Sequence, residues 1–326
     1  MITHRSTLFI VLITILAFII LITIPITVLF DNFTNYGKIE ESLSFYYSPE
    51  VPSLTDELKI NTDIGNIEII YATVPTDYPV SIEVNINVAG LNIADKSYLD
   101  YFDIVWNETS TPATFNFTIK SNKWLEASNW FSRNINIFVI LRAEIVFNVT
   151  ASSNEGNIKT EIPFGVSIEN LITKSMSGNI KLDFDRCILA GNITGTTNTG
   201  NITLNSYNVE YIRNSSWIID NDRGNTLFDI TQYDEMGANI TVKGITNTGF
   251  INVTYEDYTP NVGAFVKLYN YTSIPPYSCI WEGFNYNTPL SGHEFISYDF
   301  PAINFYNITL YQIDGNYVWN LYSEPT

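Results

Sequence analysis

The sequence predicts an all-β protein: a single-stranded β-solenoid with rungs of about 22 residues, one N-terminal transmembrane helix and a β-rich C-terminal cap. Three observations predict it. The first is a Gly-Asn-Ile phrase that recurs at Gly156-Asn157-Ile158, Gly178-Asn179-Ile180 and Gly200-Asn201-Ile202, then as Gly224-Asn225-Thr226 and Gly249-Phe250-Ile251. Its glycines step by 22, 22, 24 and 25 residues. Self-similarity at a fixed period marks an array in which each repeat buries its apolar face only against its neighbours. The second is strict alternation, clearest over Val80–Val88, which gives a strand one buried face and one wet face. The third is an uncharged run from Thr7 to Phe30.

In chain order, residues 1–6 form the expected cytoplasmic tail and 7–30 the transmembrane signal anchor. At about 1.5 Å per residue the run reaches roughly 36 Å, more than the ~30 Å hydrocarbon core of a bilayer. A cleaved signal peptide has a shorter apolar core followed by small residues, whereas Leu29-Phe30-Asp31-Asn32 stands here. His4, Arg5 and the amino terminus precede the run and Asp31 follows it. That asymmetry predicts a single-pass cell-membrane protein with a cytoplasmic N-terminus and an extracellular ectodomain, the bilayer being the partner of residues 7–30.

Residues 31–56 read as a stalk or an irregular first strand around Phe45-Tyr46-Tyr47. Residues 57–257 form the expected solenoid domain, with an early copy of the phrase at Gly65-Asn66-Ile67. Residues 258–326, aromatic and aperiodic, form its C-terminal cap or a small separate module. Only Lys123–Arg133 breaks the β pattern. Its Trp124, Ala127 or Ser128, and Phe131 fall at helical spacing, as in a short amphipathic segment closing an end.

A second register supports the repeat. Thirteen residues after the repeat glycines stand Glu169-Asn170-Leu171, Gly191-Asn192-Ile193, Arg213-Asn214-Ser215 and the shifted Gly237-Ala238-Asn239-Ile240. Each rung therefore holds at least two strands, and neighbouring rungs stack at about 4.8 Å. Gly65, Gly156, Gly178, Gly200, Gly224 and Gly249 supply the positive φ of tight corners, while the isoleucines pack inward. Asn157, Asn179, Asn201 and Asn225 either stack as an amide ladder or face outward beside their inward neighbours. Outward placement at a turn is the preferred reading.

A strand entering a Gly-Asn-Ile turn at Leu58–Ile70, alternating strands over Val80–Val149, and Ser/Thr-x-x-Gly-Asn-Ile phrases at Ser153–Ile158, Ser175–Ile180 and Thr197–Ile202 carry a resemblance. The chain resembles the "putative adhesin" domains of bacterial and archaeal membrane proteins over roughly residues 57–255. The resemblance implies a β-solenoid at the cell surface and supplies no catalytic residues. The tail after Tyr258 departs from the pattern and is where a function particular to this protein would lie.

The 34 acidic residues and 15 of the 16 basic ones follow the apolar run, and a formal net charge of −18 repels nucleic acid and anionic lipid. Eleven Asn-x-Ser/Thr sequons also follow it. Asn107, Asn116, Asn148, Asn214, Asn252, Asn270 and Asn307 are the candidate glycosylation acceptors, and Asn32, Asn192, Asn201 and Asn239 complete the set. Cys187 and Cys279 form either a disulfide or two buried thiols. His293 is the one histidine beyond the apolar run, so a His-rich or Cys₄ metal site has too few ligands, and a Cys279/His293 pair lacks any nucleophile signature.

Asp220-Asn221-Asp222-Arg223-Gly224-Asn225 approaches a calcium loop but puts Arg223-Gly224 where a ligand is needed. Asp183 and Asp185 read as solvated turns. Among the tryptophans at 106, 124, 130, 217, 281 and 319, core roles outweigh a sugar platform. No catalytic, cofactor or metal site is assigned. The leading expectation is adhesion or envelope interaction, through a long regular face or the aromatic tail, with a surface protein or glycan. The alternative is a structural or sensory ectodomain within a membrane complex. Neither is enzymatic, and homo-oligomerisation is left open.

Overall fold

The structure is a computed structural model. It describes residues 36–48, 55–72, 76–91, 96–110, 113–121, 130–259, 261–270, 278–287, 292–300, 302 and 304–324, together with Ile20. Twenty-three strands form one continuous sheet among them. The first eight are β1 (Tyr36–Tyr47), β2 (Thr55–Ile64), β3 (Asn66–Ala72), β4 (Val80–Leu91), β5 (Phe102–Ser110), β6 (Ala113–Ser121), β7 (Trp130–Arg142) and β8 (Val146–Glu155). The periodic region gives β9 (Ile158–Ile162), β10 (Ser167–Ser177), β11 (Ile180–Asp185), β12 (Ile188–Leu189), β13 (Ile193–Thr199), β14 (Ile202–Tyr207), β15 (Glu210–Tyr211), β16 (Ser215–Arg223), β17 (Thr226–Gln232) and β18 (Ile240–Asp257). The tail adds β19 (Val262–Asn270), β20 (Ser278–Glu282), β21 (Phe284–Asn287), β22 (His293–Ser297) and β23 (Asn304–Ser323).

Strand alternation decides which side chains go inside. In the first wall one inward row runs through Phe115, Leu58, Val149, Leu171, Ile193, Trp217, Val242, Ile308 and Val266, each in register with the next across parallel strands. In the second wall the isoleucines of the phrase do the same: Ile137, Ile67, Ile158, Ile180 and Ile202, then Thr226 and Ile251. Fully burying an aliphatic side chain contributes about 1.5–3 kcal/mol, so these rows are the main stabilising element of the fold. Both belong to one core.

The chain passes from the first wall to the second at the glycines. Gly224 shows why the residue is required: its φ is +138°, and a Cβ there would stand 1.8 Å from the Gly200 carbonyl oxygen. Gly65, Gly156, Gly178, Gly200 and Gly249 occupy equivalent corners, all at positive φ. Close stacking leaves the glycine carbonyls facing the next layer, and at several of them a buried side chain three residues before that layer's glycine satisfies the oxygen. Ser153 Oγ donates to Gly65 O at 2.9 Å, Ser175 Oγ to Gly156 O at 3.0 Å, Thr197 Oγ1 to Gly178 O at 3.0 Å, and Asn221 Nδ2 to Gly200 O at 3.1 Å.

Outside the same corner the asparagines form a ladder. The backbone N–H of Asn157 donates to Asn66 Oδ1, that of Asn179 to Asn157 Oδ1, that of Asn201 to Asn179 Oδ1 and that of Asn225 to Asn201 Oδ1, at 2.8–2.9 Å. Phe250 N–H closes the series on Asn225 Oδ1 at 3.2 Å. Asn157, Asn179 and Asn201 are exposed, so the ladder lies on the surface and the two sequence readings merge into one arrangement.

The expected single-stranded solenoid with a separate cap is corrected. The structure is a nearly closed, barrel-like sheet whose two walls enclose the core. Antiparallel pairs flank the parallel ladders at both ends: β1–β4–β7 and β5–β6 at one, β19–β22–β21 at the other. Neighbouring layers lie 22 residues apart only locally. Asn157 meets Asn66 across 91 residues, and Phe305 meets Asn239 across 66. The tail is not an added cap, because β23 pairs with β18 along both walls, from Ile240↔Tyr306 to Asp257↔Ser323. Within the segment expected as a stalk or an irregular first strand, Tyr36–Tyr47 is a strand of the sheet, and Trp130–Arg133, the end of the Lys123–Arg133 segment read at helical spacing, opens β7.

The single-pass localisation is corrected too. Among the described residues no helix is long and apolar enough to cross a membrane. Apart from Ile20, the 7–30 segment lies outside the described residues, as do the 1–6 tail and residues 122–129. The assignment of a cytoplasmic N-terminus and an extracellular ectodomain is therefore not carried further.

Candidate functional site

At the C-terminal end of the sheet the outermost strands of the two walls are β20 and β21, joined at Gly283. Gly283 has φ +76°, and a Cβ there would lie 2.0 Å from Ser323 O, so this turn too requires glycine. The turn sets Trp281 of β20 and Tyr286 of β21 with ring centroids 5.2 Å apart. Beneath them Phe295 and Trp319 are buried, with centroids 5.4 Å apart. Tyr286 stacks on Phe295 at 4.9 Å, and its hydroxyl shares a 2.7 Å hydrogen bond with His293 Nδ1. Partial burial lowers the His293 pKa below its ordinary 6.5. Trp281 and Tyr286 remain 41% and 38% exposed. A rigid, buried aromatic floor thus carries two open rings.

A second aromatic surface runs along the second wall. Tyr233 and Tyr258 stack at 4.6 Å with a 6° interplanar angle, flanked by Tyr207 at 5.6 Å and Tyr322 at 5.3 Å. Tyr258 donates its hydroxyl to Glu256 Oε2 at 2.9 Å, and this bond raises the phenol to about 12. Tyr322 is raised as well, by desolvation first and then by Glu324 and Glu282.

A shallow groove of about 420 Å³ crosses the outer face of the first wall, lined by Asn148, Asn170, Asn192, Thr194, Ser216 and Ile218 among others. Its amides are engaged along the wall: Asn170 Nδ2 donates to Asn148 Oδ1 at 2.7 Å, and Asn192 N–H donates to Asn170 Oδ1 at 2.8 Å.

The remaining residues singled out in the sequence are dispersed. Asn107 and Asn214 are exposed, whereas Asn116, Asn148, Asn252 and Asn307 are half-buried on strand faces; Asn270's side chain and all of Asn32 lie outside the described residues. Asn192 and Asn201 are exposed at corners, Asn239 is half-buried, and Asn214 Oδ1 accepts the Asn239 N–H at 3.0 Å. Cys187 is buried with a free thiol, which burial pushes up to about 12; Cys279's side chain is outside the described set. Asp220-Asn221-Asp222 lies on β16 with Asn221 turned inward, and Asp183 binds Lys181 and Asn205. Among the described residues no three His, Cys, Asp or Glu side chains converge as a metal site would require.

Of the tryptophans, Trp217 and Trp319 are core, while Trp106 and Trp281 are open. The side chains of Trp124 and Trp130 are outside the described residues. The sequence marked the tail, but it favoured core roles for the tryptophans, Trp281 among them, and gave neither the partnership with Tyr286 nor the tyrosine strip. The available signal for the strip was Tyr207, Tyr233 and Tyr258 recurring at steps of 26 and 25 residues.

No protein family and no curated protein matches the chain. Solved structures to which the chain shows similarity include a "putative cell adhesion protein" from Clostridium sporogenes ATCC 15579, 12% identical, covering 87% of this chain and all (100%) of that one at a TM-score of 0.37. A "putative adhesin" from Bacteroides fragilis NCTC 9343 is 8% identical, with 87% and 97% covered and a TM-score of 0.33. A "putative lipid binding protein" from Parabacteroides distasonis ATCC 8503 is 11% identical, with 88% and 97% covered and a TM-score of 0.31. At these TM-scores the likenesses carry no argument about fold or function.

Proposed function

We propose that the chain is a non-catalytic, adhesin-like binding module that holds a glycan against its terminal aromatic surface. One observation carries the reading: Trp281 and Tyr286, delivered by the last strands of opposite walls, meet at 5.2 Å yet stay 41% and 38% exposed. Open Trp and Tyr rings combine apolar area with a polar edge and lose little conformational freedom on binding, which is why such residues dominate recognition surfaces. Sugar rings present an apolar face to such platforms and hydroxyls to their rims. Here the hydrogen-bonded Tyr286 hydroxyl and His293 imidazole are the polar groups beside the open rings, placed to meet those hydroxyls.

The test is retention of the full chain on beads bearing defined polysaccharides, with Trp281→Ala and Tyr286→Ala beside the wild type. Removing one hot-spot aromatic costs about 2 kcal/mol or more, so each variant should bind roughly 30-fold more weakly at unchanged thermal stability. Wild-type retention no greater than that of an unrelated acidic protein, or variants that bind as wild type does, would refute it.

A further inference from the structure

The geometry points to a second interaction surface: the tyrosine strip of the second wall docks an extended, arginine-bearing peptide segment of a partner. Register places one outward row across six strands: Asp185, Tyr207, Thr231, Glu256, Tyr322 and Glu282, in β11, β14, β17, β18, β23 and β20. Tyr233 and Tyr258 stand two positions on from Thr231 and Glu256, stacked at 4.6 Å. Carboxylates and phenol rings thus lie side by side in one band whose strands are spaced at about 4.8 Å.

Three features make the band fit a cation. Tyr207 and Tyr233 are 43% and 44% exposed, and Tyr207 and Tyr322 turn 61° and 40° away from the Tyr233 and Tyr258 rings they adjoin. The electron-rich faces of such rings attract guanidinium groups. Among the described residues the chain's own ion pairs leave Glu256, Glu282 and Glu324 without a cation, since Arg186 at the far end of the row is held by Asp185. A net charge of −18 then steers a basic segment toward the surface. An extended peptide brings same-side residues about 6.8 Å apart, so several long arginine side chains fall along the band and can pair with Glu256 and Glu282 or stack on the rings beside them.

The experiment measures anisotropy of fluorescein-labelled hexa-arginine with the full chain at physiological ionic strength. Two double variants probe the strip, Tyr233→Leu/Tyr258→Leu and Glu256→Gln/Glu282→Gln. A third, Glu40→Gln/Glu83→Gln, removes the same charge from exposed positions on β1 and β4. The strip doubles should weaken binding at least 10-fold and the distant double less than 2-fold. The single exposed variant Tyr207→Leu should weaken it about 3-fold and serves if the tyrosine double fails to fold. Equal weakening by both charge doubles would show general polyanion attraction and overturn the proposal. So would tyrosine variants that bind as wild type does, or no measurable binding.

Discussion

Asp257 makes the stability of the fold depend on pH in the sense opposite to most carboxylates. The residue ends β18, is 0% exposed, and receives the Ser323 hydroxyl on Oδ1 at 2.9 Å. Burial raises its pKa from 3.8 to about 7, against the opposing pull of the Tyr255 and Ser323 hydroxyls and with a further push from Asp299. In the unfolded chain the carboxyl ionises at its ordinary pKa. Between those two values the native protein holds a proton that the unfolded chain releases. Raising the pH therefore favours unfolding through this group. The contribution is fully present below the unfolded pKa and lost as the pH climbs through the folded pKa near 7. At about 1.4 kcal/mol per unit, the loss reaches about 4 kcal/mol by pH 8.

Replacing Asp257 with Asn keeps the shape and removes the ionisation. The assay is guanidinium unfolding followed by tryptophan fluorescence, from pH 4.5 to pH 9, on wild type and Asp257→Asn side by side. Taking the difference cancels the other titrating groups. The variant should gain on the wild type by roughly 2–4 kcal/mol between pH 5 and pH 8, with the change centred on the rise to the folded pKa. A flat difference across that range would refute the reasoning, because the carboxyl would then be ionised in both states or solvated in the native one.

Two predictions concern the corners. Gly224→Ala should destabilise the protein by at least about 3 kcal/mol in urea unfolding, since strain at positive φ adds to a backbone collision; a loss below 1 kcal/mol would mean the corner relaxes freely. Thr197→Val leaves the Gly178 carbonyl without its donor and should cost about 1–3 kcal/mol, the desolvation penalty of an unpaired buried acceptor, measured by the same unfolding experiment.

What the sequence revealed and what it hid follow from the range of the forces involved. Gly200 and Gly224 announce themselves because sterics at a corner admit no other residue, and Ile180 and Ile202 because alternation along a strand is a local property. The phrase Ser/Thr-x-x-Gly was visible as spacing; its reason, a hydroxyl reaching the glycine carbonyl of the adjacent layer, required the neighbour to be placed. Architecture was hidden for the same cause. Nothing local tells Asn66 that its partner is Asn157, or tells β23 that it runs beside β18, so a regular stack with an added cap was inferred where one sheet wraps both walls. The candidate site was half legible. Trp281 lay in the tail singled out for its aromatic content, but its meeting with Tyr286 depends on the Gly283 turn and on the buried Trp319 below.

The surface asparagine ladder has a direction, and direction gives the wall a rule of succession. Each side-chain oxygen is spent on the backbone of the layer that follows, so every layer carries the template on which the next one registers. A slip by one residue would strand an amide at the corner and turn an isoleucine out of the core at once, so two independent penalties guard the same register. Phe250 takes the last bond and has no amide to offer in return. The relay at this corner thus runs out one layer before β23, which is aligned by its long backbone pairing with β18, by Gln312 Nε2 donating to the Gly249 carbonyl and by the Phe305 N–H on Asn239 Oδ1.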